Sequence, residues 1–171
     1  MSVQSSILVG CSNKVVWILV EGKGSFLNSS GMKEFAKEMI DRGMREFVID
    51  LKNCPVMDST FMGTMAGMAL RMRELGEGHL HVVNLNERNK DLLSNLGLDQ
   101  LFEMDLCPVA ASAAPAQTPL APSTPETQTD PTEQAKTMLE AHEALVEAAP
   151  ENLSKFKDVL EFLKQDLKSS S

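Results

Sequence analysis

Residues 54–68 read Cys54-Pro55-Val56-Met57-Asp58-Ser59-Thr60-Phe61-Met62-Gly63-Thr64-Met65-Ala66-Gly67-Met68. The stretch leaves an apolar run, Phe47 to Leu51, broken only by Asp50, and enters a segment of helical periodicity that reaches Leu75 before Gly76 and Gly78. A strand followed at once by a helix makes the junction the natural place for a site. Asp58 suits the N-cap: its carboxylate can accept the free amides of the first turn and complements the positive end of the helix dipole. Ser59 then falls at N1 and Thr60 at N2. A side chain at N1 points outward, within reach of another protein, and a phosphate added there would sit among unsatisfied amides.

The helix that follows has two faces. Phe61, Met65, Met68, Met72 and Leu75 recur at steps of four and three, and Ala66 and Ala69 widen the stripe. Opposite lie Thr60, Gly63, Thr64, Gly67 and Arg71. Each glycine inside a helix costs about 1 kcal/mol against alanine, so the smooth face is expected to serve a packing need. Either it packs on the domain's own sheet, or it is a docking face continuous with Ser59. Periodicity does not choose, because methionine also builds adaptable binding surfaces.

Outward from the junction, Ser6 to Val9 and Val15 to Val20 read as strands of a hairpin turning at residues 11–14. Met32, Phe35, Ala36, Met39 and Ile40 have helical spacing, with Gly43 as the stop. Leu80, Val82 and Val83 make a further strand, Glu87 to Leu96 a short helix ended by Gly97, and Leu98 to Met104 a final edge strand and turn. Strands alternating with helices predict an α/β fold, a mixed sheet flanked by helices.

From Cys107 to Asp130 the texture changes to Pro, Ala, Ser and Thr, a composition that reads as a semi-extended linker. Three parts follow: a domain over 1–106, a linker over 107–130 and a helical segment over 131–168. In the last, Asp130-Pro131-Thr132-Glu133 is a strong helix start. One stripe runs through Met138, Leu139, His142, Leu145 and Val146. Beyond Pro150 a second runs through Leu153, Phe156, Leu160, Leu163 and Leu167. Two such helices rarely hold a core alone; they are expected to pair, then dock on the first domain, self-associate or bind a partner helix.

The net charge is −8 over 171 residues, with −3 falling before residue 107 and −5 after it. A nucleic-acid phosphate binder would show a basic patch instead. No apolar run is long enough to span a bilayer, and Met1 to Gly10 lacks the features of a secretion signal. Cys11, Cys54 and Cys107 are scattered, which suits reduced thiols. A cytoplasmic protein without a membrane segment is expected.

His79 and His81 alternate on one strand, but two ligands without a third make a poor metal site; they read as structural or surface histidines. His142, among glutamates, reads as solvated. Gly22-Lys23-Gly24 lacks the residues of a phosphate loop. No histidine lies between residues 1 and 78 to serve Ser59 as a base, so a hydrolase would need one brought in through space. No enzymatic activity, cofactor or metal is expected.

The order strand–strand–helix–strand–Asp58-Ser59-Thr60–helix–strand–helix resembles the STAS domain, the fold of bacterial anti-sigma factor antagonists. The likeness covers roughly residues 3–105. It is carried by Phe47 to Leu51, by Met57-Asp58-Ser59-Thr60, and by the segment HVVNLNERNKDLLSNLGLDQLF that starts at His81. The resemblance implies that Ser59, with Thr60 as alternate, is phosphorylated by a serine kinase that doubles as anti-sigma factor, and is restored by a serine phosphatase. It implies a role in signal transduction and transcription regulation, with the partner bound only while Ser59 is unmodified. Asp58, Ser59, Thr60, Phe61, Gly63, Thr64, Gly67 and Arg71 would then form the partner face. Phe61 stands where the family usually has glycine, and is expected to crowd the helix start and alter what a kinase meets. The alternatives are an unphosphorylated scaffold module of a regulatory assembly, in which Ser59 is only a cap, and a small-ligand-binding STAS domain. Self-association through the C-terminal helices is the further partner expectation.

Overall fold

The computed structural model describes residues 6–12, 14–76, 78–104, 118–119 and 131–169. A β-branched hairpin opens the chain: β1 (Ser6–Ser12) pairs antiparallel with β2 (Val15–Glu21), with Lys14 at φ 64 in the turn. Strand β1 thus runs three residues past the expected Val9, and the turn is correspondingly tighter. Helix α1 (Phe26–Asp41) follows and ends at Gly43, φ 94. There Gly43 N–H donates to Ile40 O and Met44 N–H to Met39 O, the paired closure that a left-handed glycine allows.

Then come β3 (Glu46–Asn53), α2 (Ser59–Glu74), β4 (His79–Val83), α3 (Glu87–Asn95), a 3-10 turn (Leu98–Gln100) and β5 (Glu103–Met104). The sheet order is β5-β4-β3-β2-β1-β6, parallel from β2 through β5. Its outermost strand, β6 (Thr118–Pro119), pairs antiparallel with β1 inside the segment read as linker. A proline is admitted there because an edge strand needs no donor on its outer side. The rest of that linker, and Cys107, lie outside the described residues.

Alternation along β3 divides the sheet's two faces. Phe47, Ile49 and Leu51, with Val16, Ile18 and Val20 of β2 and Leu80 and Val82 of β4, join the main core with the helices. Val48, Val15 and Trp17 form a smaller cluster on the other face.

The two C-terminal helices are α4 (Pro131–Ala148) and α5 (Asn152–Ser169). They pair with each other and dock on the domain, the first of the three fates open to them. Helix α4 packs across α2 and touches α1, and Ala144 and Leu145 belong to the main core. The corner between the helices is pinned by Asn152, whose Nδ2 donates to Leu96 O at 2.9 Å and Leu145 O at 2.8 Å. Helix α2 is therefore covered twice, by the sheet on one side and by α4 on the other. Eleven of its residues are buried. That double cover explains a helix of glycine, alanine and methionine, which has almost no surface to dress.

Candidate functional site

The loop that presents Ser59 is fixed from two sides. Asn89, fully buried, donates from Nδ2 to Cys54 O at 2.8 Å, and Asn86 donates to Pro55 O at 3.2 Å. From the other side Gly24 N–H donates to Val56 O at 3.0 Å and Asp58 N–H to Gly24 O at 2.8 Å. Burial raises the Cys54 thiol above its ordinary range, although its hydrogen bonds with Gly24 and Val56 oppose the shift. Asp58 caps α2 as its residue type foretells: extended backbone, with Oδ1 accepting Phe61 N–H at 2.8 Å. Ser59 is the first helical residue.

The side chain beside Ser59 comes from the far end of the chain. Ser59 Oγ lies 2.9 Å from Nε2 of His142 on α4. The other ring nitrogen, Nδ1, is 2.6 Å from Met138 O. A carbonyl can only accept, so Nδ1 carries the proton; in the neutral ring Nε2 is then the acceptor and Ser59 donates its hydroxyl proton. Phe156 of α5 meets the imidazole edge-on, with centroids 5.1 Å apart. His142 is 4% exposed, so its reading as a solvated histidine is corrected. A histidine is also brought to Ser59 through space, the condition that a nucleophile would need. The helix that supplies this imidazole also roofs the hydroxyl.

The remaining residues of the expected partner face separate by depth. Asp58 and Ser59 are half-buried, and Thr60 and Thr64 are buried, Thr64 Oγ1 donating to Thr60 O at 2.9 Å. Gly63 lies directly beneath α4: a Cβ there would stand 2.2 Å from Ala141 O. Gly67 faces Ala144, where a Cβ would make an ordinary contact at 3.9 Å. Arg71 is exposed and lies near Glu74, Nη1 to Oε2 3.5 Å. Thus the Gly/Thr face packs neither on the sheet nor on solvent, but on the chain's own tail.

Phe61 departs from its expectation. It is 0% exposed and faces the core. Gly24 makes room for it, since a Cβ at Gly24 would fall 2.8 Å from Phe61 Cδ1 and 3.1 Å from Met57 Cγ. The ring therefore neither crowds the outer surface of the helix start nor offers itself to a partner.

The buried stripe on the tail side keeps His142 and Leu145 of the one drawn through Met138, Leu139, His142, Leu145 and Val146, and leaves the other three half-buried. It runs through Ala141, His142, Ala144, Leu145 and Ala149, rotated toward alanine. Sequence reasoning placed His142 on the stripe yet read it as solvated, and it missed the alanines because large apolar residues were taken as the guide to the face. The available signal was the run of small residues on both helices, which marks a close crossing.

His79 and His81 do share one side of β4, with ring centroids 6.1 Å apart, and buried His81 pairs through Nε2 with Glu46 Oε2 at 3.0 Å. Among the described residues there is no group of three or more His, Cys, Asp or Glu placed to hold a metal. Among the same residues, no helix is long and apolar enough to cross a membrane.

A mixed sheet whose third strand delivers an Asp-capped serine to a helix start defines an α/β module of the STAS type. Residues 7–113 match the STAS domain family, and the chain belongs to it. Among solved structures the fold is similar to that of a proposed anti-sigma factor antagonist, TM1081 of Thermotoga maritima, at 1.59 Å. That likeness has TM-score 0.52 and 18% identity, covering 56% of this chain and 82% of the other. The NMR structure of TM1081 gives TM-score 0.52 and 20% identity over 56% of this chain and 77% of that one. SpoIIAA, an anti-sigma factor antagonist in its unphosphorylated form, follows at TM-score 0.46 and 17% identity over 51% and 79%. No curated protein matches the chain. The family match stops before α4, so the helix over Ser59 lies outside it.

Proposed function

We propose that this chain is a phosphorylation-switched, protein-binding regulator of the anti-sigma factor antagonist kind, with Ser59 as the phosphoacceptor and Thr60 as its alternate. The observation that carries the reading is the placement of Ser59. In a chain of the STAS family, it is the first residue of α2, directly after the Asp58 cap. Helix-start amides and the dipole tolerate added negative charge at that position, so the domain can carry the group. The partner is a serine kinase that acts as anti-sigma factor and binds the unmodified face, and a serine phosphatase resets it. Unmodified Ser59, Gly63 and Gly67 are the centre of that face; Phe61 acts from beneath, by holding the helix start in place.

The test is the mass of the chain isolated from its own cells under growth and stress. A phosphate on the peptide spanning residues 55–70, at Ser59, supports the switch. Its absence under every condition, together with equal recovery of partner on Ser59→Ala and Ser59→Asp baits, would make Ser59 a cap and the domain a scaffold.

A further inference from the structure

The tail helix is built to the shape of the face that the switch would use. Gly63 lies under Ala141 so closely that a Cβ would meet Ala141 O at 2.2 Å, its carbonyl carbon at 2.6 Å and its Cβ at 2.8 Å. Only glycine permits that crossing, and small residues meet it from the other side, where Ala141 and Ala144 are buried. At the end of the crossing His142 Nε2 stands 2.9 Å from Ser59 Oγ and accepts its hydrogen bond. We propose that α4 is a resident, displaceable occupant of the Ser59 face, and that it leaves before Ser59 is phosphorylated or an outside protein docks. This rests on the switch reading of Ser59 and names how that site is regulated.

The grip is uneven in the way a displaceable element requires. Beside the crossing, a half-open cleft of about 300 Å³ remains between α1, α2 and α4, over Ala36, Ile40, Gly67 and Met68. The crossing there leans on an ion pair between Lys33 and Glu140, whose side chains are 38% and 56% exposed. An exposed pair adds little, and the cleft leaves that edge of the helix without packed neighbours. Opening α4 must still break its packing on α2, which includes the core residues Ala144 and Leu145, so it costs more than the fraying of a terminus. The far end is the better anchored: Asn152 bonds two buried carbonyls, and Ala149 sits against Gly97. Residues 149–152 are thus the hinge about which α4 swings.

Phosphorylation and docking exclude each other at Ser59. The bond to His142 uses the hydroxyl proton, which a phosphoryl group replaces. The new group adds three oxygens and about −1.5 to −2 charges, where an imidazole stands 2.9 Å away and Asp58 is adjacent. Coupling of this kind is reciprocal: whatever frees α4 favours phosphorylation, and phosphorylation keeps α4 free.

The full-length chain is compared with Gly63→Ala and Ala141→Glu, which spoil the crossing from opposite sides, and with Glu143→Ala on the exposed side of α4. Alanine is the better helix former at position 63, so its effect falls on the crossing and not on α2. Hydrogen exchange of residues 131–148 should quicken about tenfold or more in the first two variants, while β3 keeps its protection. In the native cells, the fraction of Ser59 carrying phosphate should rise severalfold in those two and stay at the wild-type level in Glu143→Ala. Unchanged exchange in both variants overturns the proposal, and so does release of α4 with no rise in phosphate. A phosphorylated wild-type chain with α4 still protected also overturns it. If no variant and no wild-type chain carries phosphate on Ser59, the switch reading itself fails, and the exchange data alone then report the crossing.

Discussion

Ser59 Oγ and His142 Nε2 stand 2.9 Å apart across 83 positions of sequence, one residue in the STAS domain and the other beyond its last strand. The proton on Nδ1, fixed by Met138 O, leaves Nε2 of the neutral ring as the acceptor. The contact therefore has a direction: the domain donates and the tail accepts. Because the imidazole is buried against Phe156, water is poorly placed to replace the serine. The bond should then be measurable.

A double-mutant cycle on Ser59→Ala and His142→Ala measures it. Ser59→Ala strands a buried ring nitrogen, which costs about 1–3 kcal/mol. His142→Ala removes the ring and its packing on Phe156, at a similar or greater cost. Since the two share one interaction, the double variant should lose less than the sum, by about 0.5–1.5 kcal/mol in urea unfolding. Strict additivity would mean that the bond contributes nothing in solution.

Phe61 and Gly24 form a second matched pair, within the domain. Gly24→Ala drives a methyl to within 2.8 Å of the Phe61 ring, which is fully buried and has nowhere to turn. Overpacking of this kind costs about 1–3 kcal/mol. Phe61→Leu alone loses a partly collapsed cavity's worth of contacts. In the Gly24→Ala background the same change also relieves the clash, so its cost should shrink or reverse sign. Thermal melts of the four proteins decide it; equal costs in both backgrounds would separate the two residues.

The order of elements was legible because strand and helix periods are local. The runs from Phe47 to Leu51 and Leu80 to Val83, the stop at Gly43 and the Asp58 cap each rest on a few neighbouring residues. The site was legible as far as Ser59, whose place follows from the cap and whose proposed role rests on a family likeness. Its roof was not. Nothing in the local pattern of α4 says that Ala141, and not Met138 or Leu139, will face the domain, since the choice is set by Gly63 far upstream. A close crossing selects small residues, so the largest side chains mislead. Phe61 misled for the related reason that its room is provided by Gly24. Strand β6 was hidden because two residues in a proline-rich stretch carry no period at all.

Cys54 gives the domain a pH response at the alkaline end. Burial raises its folded pKa above the ordinary 9.0, so the unfolded chain ionises first as pH rises. The stabilisation is fully present below about 9, the unfolded value, and is lost progressively from there up through the folded value. Cys54→Ala removes that titration, so its stability should fall less steeply over the same window than the wild type's. Urea midpoints at pH 8, 9 and 10, an order-of-magnitude bracket of that window, provide the comparison. Parallel curves would show that the thiol does not titrate differently in the two states.

Phosphorylation of Ser59 should act on partner affinity far more than on the fold of the sheet. A phosphoserine brings about −1.5 to −2 charges, and the helix-end amides and dipole offset part of its repulsion from Asp58 by about 0.3–2 kcal/mol. In a docked interface the same group is desolvated or faces unmatched charge, where like-charge contacts cost several kcal/mol. A net loss of about 2–4 kcal/mol corresponds to roughly 30- to 1000-fold in affinity, at 1.4 kcal/mol per decade. Ser59→Asp, with one charge and fewer acceptor oxygens, should fall short of that. The measurement uses the partner protein recovered on a Ser59→Ala bait, titrated calorimetrically against unmodified, phosphorylated and Ser59→Asp chains. All three carry Ala141→Glu, so that α4 is off the face in every sample and its release does not mask the loss. Near-equal affinities would remove the switch from Ser59. A melting temperature that collapsed on phosphorylation, with α4 already released, would make Ser59 a structural cap instead.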